Sequence, residues 1–124
     1  MRDAGVTPDD VDYVNAHGTS TGLGDLAETR AIKRALGEGT RTPVSSTKSM
    51  TGHALGAAGG IEAVILAKSI ERGVIPPTIN LDEPDDELDL DYVPKQARDL
   101  KIRHAISNSF GFGGHNVSLV LSAV

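Results

Sequence analysis

The sequence predicts an α/β layered sandwich with a mixed sheet between helices, and three observations predict it. Short apolar runs of strand composition alternate with two longer helical runs. Each helical run ends at a glycine, Gly37 and Gly73, the residue type that stops helices most readily. The last two strand-like runs are separated by a short Gly-rich stretch, which makes them an antiparallel pair added to an otherwise alternating order. The 124 residues fit a single domain.

The elements follow in order. Residues 2–5 (RDAG) read as the last turn of a helix stopped at Gly5, although nothing before them forms that helix. They are either a frayed terminus or a start inside a larger domain. Thr7 as N-cap with Pro8 at the first helical position predicts one short turn. Residues 11–16 (VDYVNA) form a strand with Val11 and Tyr13 alternating, and run into a polar loop, His17 to Thr21. Residues 25–36 (DLAETRAIKRAL) form an amphipathic helix that buries Leu26, Ile32, Ala35 and Leu36. Residues 42–46 (TPVSS) are a short strand and 47–52 a polar turn. A long helix is expected from 54 to 72. Its opening, ALGAAGG, holds three glycines that cost about 1 kcal/mol each relative to alanine. Close packing against another backbone is expected to offset that cost. Residues 76–81 (PPTINL) are extended, and 82–91 form an acidic, solvated loop. Residues 105–109 and 117–121 are strands joined by FGFGGHN.

Composition narrows the function. Apolar residues make up 39% and charged residues 23%, an ordinary globular mixture. Aromatics are only 3%, so the core must be built from Ala, Val, Leu and Ile. The formal charge of −5 and a pI of about 5.2 leave no basic face, which argues against a nucleic-acid partner. No cysteine is present, so there is neither a disulfide framework nor a zinc–thiolate site. The start, MRDAGVTPDD, has no apolar core of a secretory signal. The longest small-apolar stretch, 54–70, contains Glu62 and Lys68 and is too short and polar to span a bilayer. The expectation is a cytoplasmic protein.

Three polar clusters follow strands: 15–21, 45–53 and 108–116. In α/β sheets, sites gather beyond the carboxyl ends of strands, so three such clusters can share one pocket. Read alone, His17 is an ordinary surface or core histidine. His53 is placed at the start of a helix, where the dipole disfavours imidazolium. A neutral imidazole there donates an N–H to a carbonyl, and two such rings can share one oxyanion. Lys48, five residues before His53, reads alone as a solvated lysine. Asp25 and Glu28 are three apart on one helical face, either complementing the helix dipole or supplying a partner for Lys48. The Phe110–Gly114 loop lacks the GK[ST] ending of a phosphate-binding loop. It is a hairpin turn, or a backbone N–H donor beside an aromatic gate.

Taken together, VNAHGTST with Asp25 and Glu28, SSTKSMTGHALGAAG, PPTINLD and NSFGFGGHN resemble the C-terminal half of β-ketoacyl-acyl-carrier-protein synthases, most closely the type II fatty-acid-elongating enzymes. The resemblance runs from Arg2 to Leu121. It implies a thiolase-like fold, with this chain as an incomplete C-terminal domain over 1–124. It implies a decarboxylative Claisen condensation: an acyl chain held on a cysteine is attacked by the carbanion left when malonyl-acyl-carrier protein loses CO₂. His17 and His53 fall on the catalytic histidine pair. Lys48 falls on the motif lysine, acting through Glu28 and the His17 loop. Thr19, Thr21, Phe110 and Gly111 fall along the pantetheine and substrate path, and Phe112 on the gating aromatic. Asn15, Glu62, Ser107 and Asn108 fall where some members hold a structural Na⁺ or K⁺; no other cofactor is implied. The implied partners are acyl carrier protein bearing acyl and malonyl thioesters, and a second subunit in a homodimer.

One departure matters. The family's nucleophile is a cysteine of the N-terminal half, absent here, as are the first strand and most of the first helix of the C-terminal half. The chain therefore reads as a fragment, inactive alone and marginal in stability. A polyketide ketosynthase or a non-catalytic partner subunit is the alternative; such partners usually lose the histidines, and this chain keeps them. A metal-dependent hydrolase using His17, His53, His104 and His115 is disfavoured by the lack of a metal-binding spacing.

Overall fold

The computed structural model describes all 124 residues. Four strands make one sheet: β1 (Tyr13–Asn15), β2 (Val44–Ser45), β5 (His104–Phe110) and β6 (Asn116–Ser122) in the order β2-β1-β5-β6. β1 runs parallel to β2 and to β5, while β5 and β6 are antiparallel. The mixed sheet expected from the alternating pattern is therefore present. The helices are α1 (Gly22–Leu36), a single turn α2 (Lys48–Thr51) and α3 (Ala58–Arg72).

The period-2 geometry of strands divides the core. Val14 and Ile106 are register partners, as are Tyr13 and Ala105 on the opposite face. On one side Val14, Val44 and Ile106 meet Ile32 and Leu36 of α1; on the other Tyr13 and Ala105 meet Leu66 of α3 and Ile75. The parallel strands β1, β2 and the middle of β5 are buried on both faces, as strands with parallel crossovers require, whereas the outer strand β6 is largely exposed.

Several sequence expectations need correction. The single helix expected over 54–72 breaks into a 3₁₀ turn, Leu55–Ala57, and α3, with Leu55 at φ +50°. Its small-residue opening does not pack on another backbone of this chain. A Cβ at Gly56 or Gly60 would meet nothing within 4 Å, and only at Gly59 would one reach Ser109 Oγ, at 3.5 Å. The segment read as extended after Pro76 makes one isolated bridge, Thr78 to Pro94; just before it, a strand that the sequence did not suggest, β3 (Val74–Ile75), pairs with β4 (Arg98–Asp99) in a separate ribbon. The polar turn over 47–52 is helical from Lys48 to Thr51. The stop read at Gly5 is present: Val6 N–H reaches Met1 O at 3.3 Å and Gly5 N–H reaches Arg2 O at 3.2 Å, the paired bonds that end a helix with glycine in the left-handed region.

Leu66 is fully buried between α3 and the sheet. Leu66→Ala is expected to cost about 2–5 kcal/mol, read from urea unfolding. The same change at Val64, 64% exposed on the same helix, is expected to stay within about 0.5 kcal/mol.

Candidate active site

Because β1, β2 and β5 run in one direction, their carboxyl ends lie on one edge of the sheet. The polar cluster after β1, the one after β2, and Asn108–Phe110 at the end of β5 therefore meet there.

The loop after β1 is held from below by a carboxylate. Glu28 on α1 is 4% exposed. Its Oε1 accepts the backbone N–H of His17 and its Oε2 that of Gly18, both at 2.9 Å. Oε1 also accepts from Asn108 Nδ2 at 3.0 Å. Three donors replace the water this buried charge gives up. From the side, Ser46 Oγ donates to Gly18 O at 2.7 Å. Gly18 has φ +39°, and a Cβ there would fall 2.6 Å from Ser46 Cβ, so only glycine fits under the loop.

Lys48 corrects the expected pairing. Its ammonium is joined not to Glu28 or Asp25 but to Glu62 of α3, with side chains only 4% and 2% exposed. The turn that carries it is tied to β1 where Asn15 Oδ1 accepts from Thr47 N and Thr47 Oγ1, both at 3.3 Å. Nearby, Tyr13 OH and Ser45 Oγ bond at 2.7 Å, and burial pushes the Tyr13 phenol well above its ordinary value.

His17 and His53 lie side by side, ring centroids 5.5 Å apart and planes at 88°. Phe110 packs on His17 at 5.4 Å. His53 does not open α3, because the 3₁₀ turn intervenes. Its Nδ1 accepts the backbone N–H of Leu55 at 3.1 Å, which leaves Nε2 as the nitrogen carrying the proton in the neutral ring. The left-handed backbone at Leu55 belongs to the same two-residue turn. Burial, then the Lys48 ammonium and His53, hold His17 below the usual imidazole value. Its Nδ1 is buried without a partner.

The remaining expected positions are spread around this pair. Thr19 and Thr21 form the rim, their hydroxyls 3.4 Å apart, with Gly24 so close beneath that a Cβ would meet Thr21 Oγ1 at 2.4 Å. Asp25 lies close to the loop, and burial pushes its carboxyl above the ordinary carboxylate range. The N–H of Gly111 is committed to His115 O at 3.0 Å. Phe112, expected as a gate, stands 99% exposed on its own turn; the aromatic ring stacked near the histidines is Phe110. A cavity of about 440 Å³ lies beside the loop after β1, with Gly18, Thr19, Lys48 and His53, but not His17, among its walls.

The residues implied for a monovalent cation fit it poorly. The side-chain oxygens of Asn15 and Asn108 accept from Thr47 and Ser118, and Lys48 already compensates Glu62. Glu62 Oε2 stays open. His104 sits at the opposite end of β5, bonded to Ser122 Oγ at 2.8 Å, so the four histidines do not converge. Sequence reasoning missed Ser46, the Leu55 amide and the Lys48–Glu62 pairing. Ser46 and the Lys48–Glu62 pair have no local signal, since their partners come from other elements; the Leu55 amide lies two residues from His53, but the turn that joins them breaks a run of helical composition.

The family model for the β-ketoacyl synthase C-terminal domain matches residues 1–82. The 3-oxoacyl-acyl-carrier-protein synthase 2 of Synechocystis is 60% identical over 120 residues, covering 96% of this chain and 29% of that protein. The chain thus spans about 30% of the length of such curated relatives. Among solved structures, a type II polyketide ketosynthase in complex with its acyl-carrier protein superposes with TM-score 0.95 at 46% identity, over 99% of this chain and 30% of that one. A β-ketoacyl synthase from Burkholderia phymatum gives TM-score 0.93 at 44% identity, over 99% and 30%. The thiolase-like α/β fold implied by the motifs is thereby shown.

Removing Lys48 leaves Glu62 buried and uncompensated. Lys48→Met is expected to cost about 3–5 kcal/mol, and Lys48→Met/Glu62→Leu to recover most of it, by urea unfolding. His17 is expected to titrate by NMR below the usual imidazole midpoint. Its folded form binds its proton more weakly than the unfolded chain does. Its contribution to stability is therefore complete above the unfolded midpoint and lost as pH falls towards the folded one.

Proposed function

The chain belongs to the β-ketoacyl synthase family through its C-terminal domain, and we propose that it supplies the carbanion-stabilising part of a 3-oxoacyl-acyl-carrier-protein synthase. The observation that carries this reading is the histidine pair at 5.5 Å, with the proton of His53 directed to Nε2 by the Leu55 amide.

The chemistry follows from that pair. A malonyl thioester losing CO₂ leaves its electron pair on the α-carbon, delocalised onto the thioester oxygen. Two neutral N–H donors aimed at that oxygen stabilise it without reorganisation. Neutrality matters, because an imidazolium would hand its proton to the carbanion. The buried Lys48 ammonium helps keep His17 uncharged. The carbanion then attacks an acyl thioester, and the sulfur leaves as thiolate. The cysteine that holds this acyl group is not in the chain, so the condensation needs residues beyond those present.

Carrier-bound acyl and malonyl groups are the proposed substrates, with acyl carrier protein as partner. Support comes from the names of the relatives and from the neighbour solved with its carrier. Identity of 57–60% to fatty-acid-type synthases, against 39–46% to ketosynthases of polyketide and related systems, favours fatty-acid elongation. A homodimer in the cytoplasm completes the proposal; no helix is long and apolar enough to cross a membrane.

A chimera tests it: this chain replaces the matching C-terminal segment of the Synechocystis enzyme. It is expected to condense malonyl- and acyl-carrier thioesters. His17→Ala and His53→Ala should each slow decarboxylation by about 10²–10³, while acylation of the donor cysteine persists. Full decarboxylation in both variants would contradict the reading. The isolated chain is expected to show no covalent acyl adduct by intact mass.

A further inference from the structure

Ser118 lies outside all the motif-bearing segments, on the outer strand of the sheet. It is the register partner of Asn108 across the β5–β6 ladder, so the two side chains share a face. Ser118 Oγ donates to Asn108 Oδ1 at 2.7 Å. Asn108 Nδ2 donates to Glu28 Oε1 at 3.0 Å, and Glu28 holds the amides of His17 and Gly18. The directions in this line are forced. An ionised Glu28 only accepts, so the amide of Asn108 must turn its NH₂ towards it. Oδ1 then faces β6, and Ser118 must be the donor.

From this we infer that Ser118 is a positioning residue for His17, acting through Asn108 and Glu28. Ser118 stands on the exposed outer strand, so without it Asn108 Oδ1 has mobile water in place of a fixed partner, and the amide is free to rock about its last side-chain torsion, which is broad. That loosens one of the three donors on Glu28. The carboxylate then shifts under the loop, and the imidazole of His17 moves relative to His53. Because sheet pairing fixes Ser118 opposite Asn108, the outer strand sets the aim of a ring two elements away. This inference rests on the reading of His17 as a donor to the substrate oxygen.

Ser118→Val and Ser118→Thr test it as a pair, since both are β-branched and differ in the hydroxyl. In the full chain, amide hydrogen exchange of His17 and Gly18 is followed by NMR, with the β5–β6 ladder amides as the control for folding. The valine variant is expected to lose protection at His17 and Gly18 by about three- to tenfold, the span of one net hydrogen bond. The threonine variant should keep it. In the chimera, the valine variant should lower kcat by a similar factor with KM unchanged, and threonine should rescue it. Should valine disrupt the ladder, Ser118→Ala carries the same comparison. Equal protection with and without the hydroxyl overturns the positioning role and leaves the condensing reading intact. A chimera indifferent to His17→Ala overturns that reading instead, while the exchange data still report on the coupling.

Discussion

The structure depends on a buried carboxylate, that of Glu28. It joins the loop after β1, helix α1 and strand β5 through three N–H donors. A buried charge is costly unless its oxygens are satisfied, so the three elements must come together for any to be tolerated. That requirement fixes where His17 stands. Gly18 passes under the loop because the approach to Ser46 leaves no room for a side chain. The Lys48–Glu62 pair does the corresponding task for α2 and α3, and it places a cation near His17.

The two systems act on protonation in the same direction. Burial and the nearby ammonium disfavour a charged His17. The Leu55 amide occupies one nitrogen of His53 and directs its proton to the other. Two ring nitrogens able to donate result, an arrangement suited to stabilising a developing oxyanion. A pair of imidazolium ions would instead repel each other and protonate carbon.

Much of this was legible in the residues. The helical period of 25–36 and the strand composition of 11–16 gave α1 and β1, but of the stripe expected on α1 only Ile32 and Leu36 are buried, beside Glu28 and Thr29, while Leu26 is half-buried and Ala35 exposed. The motifs also placed His17, Lys48 and His53 at one sheet edge. Long-range pairings were not legible. Lys48 meets Glu62 fourteen residues away in another element, where no periodicity links them, and the sequence offered Asp25 and Glu28 as nearer carboxylates. The break at Leu55 was hidden because leucine favours helix, and the hydrogen bond to His53 Nδ1 overrides that preference. The glycines of 56–60 suggested backbone packing that this chain by itself does not make. Phe112 and Phe110 differ by two positions, and composition alone does not say which ring turns inward.

The central claim concerns the protonation and proximity of two rings, and NMR reads both directly. Long-range ¹⁵N–¹H correlation at neutral pH should show His53 as the neutral Nε2–H form, with nuclear Overhauser contact between its ring protons and those of His17. An imidazolium or Nδ1–H form of His53, or the absence of contact between the rings, would contradict the account.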